Sequence, residues 1–289
     1  MTIVISMINL KGGVGKTTTS VALAETLSAS FGKRVLVIDL DPQTNATTML
    51  IGEERWEAIN QQRRTITWLF KAAHDPYMLA FDFEAAVQRR CSDVNQADSV
   101  HLLPSSPDLM DIPEQTYRGE FGLRNLYVLL SNALTPHLGA YDVVIIDCPP
   151  NLGAISLNGL YMSDAYLIPT IPDVLSTYGV PQVVRRVSQF AHETQRAIAP
   201  LGIVVSKFRE QSTTHRNGLR RLREECQAKT GLQVFESVIP ERDALSSAPE
   251  FLLSGRTLRQ KYHDATDRFR TLAGEILARF DEASVDRAA

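Results

Sequence analysis

Leu10-Lys11-Gly12-Gly13-Val14-Gly15-Lys16-Thr17-Thr18 is the stretch on which the reading of this chain turns. Before it runs Ile3–Ile8, short, β-branched and almost wholly apolar, as in a strand buried on both faces. After it comes Thr17–Ser30, where Val21, Ala24 and Leu27 recur at helical spacing. A glycine-rich loop between a strand and a helix is the setting of a phosphate-binding loop. Glycines let the backbone curl until successive N–H groups face phosphate oxygens, and the helix N-terminus adds partial positive charge. Lys16 then reaches the β- and γ-phosphates, and the Thr17 hydroxyl ligates magnesium. The competing reading, a plain glycine-rich turn, is disfavoured by Gly-Lys-Thr in this context.

Working outward, five more apolar runs read as strands: Arg34–Ile38, Val143–Ile146, Ala165–Pro169, Leu201–Ser206 and Val234–Ile239. Helical stretches separate them. That alternation predicts an α/β fold, a parallel twisted sheet with helices on both faces and right-handed crossovers. A single phosphate-loop domain is expected over 1–289. About 52–100 reads as a helical insertion between the second and third of these strands, with pieces at Ile66–Ala73 and Phe83–Arg90 and a turn at Asp75–Pro76. A last amphipathic helix, Tyr262–Phe280, precedes a polar tail, Asp281–Ala289.

Two further segments carry chemistry. The second predicted strand ends in Asp39-Leu40-Asp41-Pro42-Gln43, and carboxylates at that end of a parallel strand sit where ligands bind. An aspartate-capped turn is the bland alternative. The next, Asp142-Val143-Val144-Ile145-Ile146-Asp147-Cys148-Pro149-Pro150, ends four apolar residues on Asp147, the pattern of a magnesium-contacting carboxylate. Pro149 and Pro150 remove two N–H donors and fix the shape of the loop that follows.

Composition narrows the remainder. Hydrophobic residues make up 44% and charged residues 22% of 289, ordinary for a soluble globular protein. No apolar run approaches the roughly 18 residues of a membrane span, and no basic segment precedes the first strand. A cytoplasmic location is expected. Cys91, Cys148 and Cys226 form no CxxC pair, which points to reduced structural thiols rather than disulfides or zinc. A net charge of −3 argues against a uniformly basic nucleic-acid binder and leaves room for a local basic face.

Leu10 stands where an ordinary phosphate loop has its first glycine, and a second lysine, Lys11, follows it. The chain thereby resembles the deviant Walker ATPases, the family of ParA and MinD, over roughly residues 1–48 and 102–277. The resemblance implies an ATP-hydrolysing switch that dimerises on ATP. It makes Lys11, Lys16 and Asp41 catalytic, with Lys11 reaching across the dimer to the other subunit's nucleotide. Lys11, Gly12, Gly13, Val14, Gly15, Lys16, Thr17 and Thr18 would cradle ATP, and Thr17, Asp39 and Asp147 would hold Mg2+. Asp41 is assigned to the attacking water, although the sequence leaves open whether Asp39 or Asp41 positions it. Val205–Phe208 and Val238–Arg242 resemble the family's adenine-side segments, which brings in Pro240 and Arg242. Glu241 departs from that pattern, because relatives often place an arginine directly after Ile-Pro.

Family members divide by what the ATP dimer binds. The acidic tail, without apolar anchors, disfavours MinD-like membrane docking. The cysteines lack the glycine-flanked setting of the iron-protein branch, and the tail lacks the tyrosine cluster of the kinase branch. Nonspecific DNA binding has support in Lys207, Arg209, Arg216, Arg220 and Arg223, with Arg216, Arg220 and Arg223 at i, i+4 and i+7. Lys229, Arg242 and Arg256 could extend that patch. The plain alternative is a solvated helix paired with Glu224 and Glu225. With the phosphate loop starting at Lys11, no helix-turn-helix precedes it, so operator-specific repression is not expected. The implied partners are a second copy of the chain, nonspecific DNA and a ParB-like activator or cargo adaptor, without a membrane anchor and with nucleoid association. The alternative is a deviant Walker ATPase coupled to a membrane-bound or metabolic or metal cargo without DNA binding.

Overall fold

A computed structural model describes residues 2–288 apart from 74, 76, 113–126, 243, 244 and 246. Among the described residues seven strands form one sheet: β1 Ile3–Met7, β2 Val35–Asp39, β3 Val100–Leu103, β4 Val143–Asp147, β5 Ala165–Thr170, β6 Ala199–Phe208 and β7 Val234–Pro240. Their order is β3-β2-β4-β1-β5-β6-β7 and every neighbouring pair is parallel. The expected α/β class is what the chain adopts.

The strands read as continuous apolar runs because both faces of the sheet are covered. Leu36, Ile38, Val144 and Ile146 face one hydrophobic layer, while Val35, Val37, Val143 and Ile145 face the other. Each such side chain, taken fully out of water, contributes about 1.5–3 kcal/mol. Helices α1 (Lys16–Phe31) and α2 (Asn45–Ile51), with the C-terminal helix Ala265–Ala288, cover the second layer. The first is covered by α4 (Thr67–Ala72), α6 (Leu129–Leu138), α7 (Ala154–Met162) and α8 (Val174–Thr194). The stretch 52–100 contributes α3 (Glu53–Gln61), α4 and a short α5 (Phe83–Ala86).

Strand β3 is a correction to the sequence reading, which took the aspartate-ending strand as third. That strand is β4, and a four-residue strand at the sheet's edge precedes it. Its brevity and the polar His101 in its middle hide it from a periodicity argument. Gln88 covers its outer edge through paired backbone bonds with Leu102, at 2.7 and 2.8 Å. An otherwise open edge is thereby blocked.

Candidate active site

The phosphate loop leaves β1, a central strand, and enters α1 at the C-terminal edge of the sheet. Gly13 (φ 72°) and Gly15 (φ 77°) hold left-handed backbone, a region where a side chain is strained, and Gly15 is the N-cap of α1. Two polar side chains fix the loop from beneath. Asn9 Nδ2 donates to Pro169 O (2.8 Å) while its Oδ1 accepts from Lys11 N (3.0 Å). Ser206 on β6 donates to Val14 O at 2.6 Å.

Lys16 is 7% exposed and donates only to loop carbonyls, Asn9 O at 3.3 Å and Lys11 O at 3.4 Å. Among the described residues it makes no ion pair. Burial lowers its pKa, with nearby Asp147 acting against that effect. A buried ammonium without a carboxylate partner, beside a helix N-terminus, fits an anionic ligand. It lines a cleft of about 340 Å³ together with Gly12, Gly13, Gly15, Thr17, Thr18 and Asp41.

Asp39 and Asp147 end adjacent strands side by side and are both fully buried. Burial raises both pKa values, and Asp147 close by raises Asp39 further. Asp147 accepts from Thr17 Oγ1 and from Ser20 Oγ, each at 2.8 Å. Ser20 was missed in the sequence, although its place three residues after Thr17 puts it on the same helix face. Hydroxyl and carboxylate oxygens together are the hard donors that magnesium takes.

Asp39, expected in the magnesium shell, is held by hydrogen bonds from its own loop. One oxygen accepts from Thr47 N (2.9 Å) and Thr47 Oγ1 (2.7 Å), the other from Asp41 N (3.0 Å). Both of its oxygens are thus taken by the loop that follows, so Asp39 anchors that loop beside Asp147. Asp41 does line the cleft, and its Oδ1 accepts from Gln43 N at 2.9 Å.

Beside the loop, a second hollow of about 220 Å³ is lined by Ser206, Lys207, Pro240, Arg242, Leu245, Pro249 and Phe269 among others. Pro240 and Arg242, expected on the adenine side, both line this hollow. Leu245, Pro249 and Phe269 have no motif and could not be found from sequence.

The residues of the expected basic stripe lie in several different settings. Lys207, in left-handed backbone (φ 51°), lines the cleft. Arg209 is ion-paired with Glu241. Arg216 and Arg220 are exposed on α9 (Thr213–Arg221), which then widens into a π turn, Leu222–Cys226. Arg223, at the start of that turn, pairs with Glu236 at 3.6 Å. Of the suggested extensions, Arg256 is buried and paired with Asp93, Arg242 pairs with Asp264 and Lys229 with Glu225. Lys11 stays out of its own cleft and pairs with Asp173, the N-cap of α8.

A phosphate loop, a paired hydroxyl and carboxylate, and a second hollow on one sheet edge define a P-loop ATPase that uses ATP and Mg2+. The family model described as AAA domain matches residues 2–199. The chain is 31% identical to chromosome-partitioning ATPase Soj of Thermus thermophilus, across 96% of this chain and 97% of that one. It is 30% identical to chromosome partitioning protein ParA of Caulobacter vibrioides, across 86% and 84%. A cobyrinic acid a,c-diamide synthase structure from Mycobacterium smegmatis, with bound ADP and magnesium, superposes with a TM-score of 0.74. It is 26% identical and covers 98% of this chain and 97% of that one. Apo McdA of Cyanothece, at 24% identity, shares the fold with a TM-score of 0.74 over 96% of this chain and all of its own. The chain belongs to the ParA-type partition ATPase family.

Proposed function

We propose that this chain is a partition switch that closes as a homodimer on ATP, binds DNA nonspecifically and releases it when a ParB-like partner triggers hydrolysis. The observation that carries this reading is the separation of the two loop lysines. Lys16 is buried in its own cleft, whereas Lys11 stands outside it, with 37% of its side chain exposed. A rim cation that its own site does not use is available to a nucleotide held by a second copy, much as an arginine finger is.

Within each site, Lys16 and the loop N–H groups bind and orient the phosphates. Thr17 and Asp147 would hold magnesium, which would supply charge neutralisation when bound. Asp41 lines the cleft and orients the water whose oxygen bonds to the γ-phosphorus as the bridging P–O bond breaks. Arg216 and Arg220 give phosphate contacts without base readout.

The test is binding of nonspecific duplex DNA with ATP, ADP or no nucleotide at two salt concentrations. Binding that requires ATP and weakens steeply with salt supports the switch. A dimer that forms on ATP yet ignores DNA sinks its DNA half. Likeness to a chain described as a cobyrinic acid a,c-diamide synthase favours a second reading, ATP coupled to a small-molecule substrate. ATPase activity indifferent to DNA and stimulated by such a substrate would support it.

A further inference from the structure

The Asp41 turn is held through a buried relay, and the hydroxyl of Thr47 is its centre. Thr47 is wholly buried on α2, and no motif reading marks it. Its Oγ1 donates to Asp39 Oδ2 at 2.7 Å and accepts from Ser105 N at 3.0 Å. Its own N–H donates to the same Asp39 oxygen at 2.9 Å. The remaining Asp39 oxygen takes Asp41 N, at 3.0 Å. The backbone of the water-facing carboxylate is therefore set by Asp39, and the orientation of Asp39 by Thr47.

The other end of the relay is equally tied. Ser105 follows β3, and its carbonyl accepts from Trp56 Nε1 on α3 at 3.1 Å. Ile66 N donates to Pro104 O at 2.8 Å, and Ser106 shares a 2.9 Å hydroxyl contact with Thr67 on α4. Helices from the 52–100 stretch thus grip Pro104–Ser106, and Ser105 passes that grip to Thr47.

We propose that Thr47 is a positioning residue for ATP hydrolysis: its hydroxyl fixes Asp39, which fixes the Asp41 turn. The Pro104–Ser106 segment is then where α3 and α4 bear on the reaction. Thr47 is wholly buried and does not line the cleft, so it acts on turnover rather than on nucleotide binding. This inference rests on Asp41 orienting the attacking water.

The experiment compares Thr47→Val, Thr47→Ser and Asp41→Ala in the full chain, reading kcat, KM for ATP, ADP affinity and melting temperature. Valine keeps the shape and removes the hydroxyl. The expected result for Thr47→Val is a fall in kcat of about tenfold or more with KM and ADP affinity within about twofold, the pattern of lost transition-state positioning. Thr47→Ser, which keeps the hydroxyl, should recover kcat to within about threefold of the parent. If Thr47→Val does not fold, Thr47→Ala against Thr47→Ser makes the same comparison. Unchanged kcat overturns the proposal, as does a parallel loss of kcat, ADP affinity and melting temperature that serine fails to rescue. Asp41→Ala with parental kcat removes the reading beneath it. An inactive Asp41→Ala beside a fully active Thr47→Val removes this inference alone.

Discussion

Replacing Lys261 with methionine takes one charge from a buried network of four. The Lys261 ammonium lies 2.7 Å from Glu25 Oε1 and 2.7 Å from Asp93 Oδ1, and all three side chains are fully buried. Arg256 Nε approaches Asp93 Oδ2 at 2.8 Å, so two cations balance two carboxylates. Ser92 Oγ and Tyr262 OH donate to Glu25 at 2.7 and 2.5 Å. Methionine fits the space but leaves one buried negative charge uncompensated. Breaking a buried pair from one side costs about 3–5 kcal/mol. At about 2 °C per kcal/mol, a figure suited to a chain of this size, melting should drop by about 6–10 °C. The assay is thermal unfolding with and without ADP. Glu25→Gln combined with Lys261→Met restores neutrality, and a double-mutant cycle should return part of the loss. A fall below about 2 °C for Lys261→Met refutes the reasoning, because it means that water or a proton already satisfies the carboxylates.

Three other outcomes are expected. Lys16→Ala should abolish measurable ATP binding by calorimetry, since it removes the buried cation on which the fit to phosphate rests; micromolar affinity would contradict that placement. Asp173→Asn keeps an N-cap oxygen for Ser176 N but frees Lys11, and should lower the protein concentration for half-maximal ATP-dependent dimerisation. The gain should be at most about thirtyfold, the ceiling when each of two copies releases a solvent-screened pair worth 0–1 kcal/mol; no change, measured by light scattering, would mean that the pair does not restrain Lys11. Arg216→Ala with Arg220→Ala should flatten the dependence of log K on log salt for duplex DNA by about 1.8 for each subunit in contact, at about 0.9 for each phosphate left without its arginine. An unaltered slope would move the DNA-binding surface off α9.

What the sequence made legible shares one property: the physics involved is local. Residues 10–18 must curl, and glycine φ values near +75° are encoded where the curl occurs. The strands that flank the cleft are buried on both faces, so an apolar run alone reveals them. Asp39 and Asp147 could be placed near the cleft because strand ends in a parallel sheet share an edge. Sequence failed where the third dimension intervenes. Arg256 looks like any exposed arginine until Asp93, from a distant loop, buries it. Thr47 sits within reach of a motif, but its partner Ser105 is 58 residues away. Leu245 and Pro249 reach the second hollow from the segment after β7 and Phe269 from the C-terminal helix, and no motif links the two.

The two loop lysines show how environment divides one residue type between two tasks. They lie five positions apart in a single glycine-rich segment. Lys16 opens α1, and its ammonium is turned inward onto loop carbonyls; burial there makes a free cation costly and an incoming phosphate favourable. Lys11 precedes the curl, where Asn9 fixes its backbone N–H and leaves the side chain at the rim beside Asp173. A half-exposed pair there is weak, worth at most about 1 kcal/mol, so it can hold a lone subunit's lysine without preventing its transfer. A nucleotide phosphate is a doubly charged and partly desolvated competitor, and charge-assisted bonds to it are about twice as strong as neutral ones. The same rim position that keeps the Lys11 side chain out of its own cleft makes it releasable, as the proposed contact between two ATP-loaded copies requires.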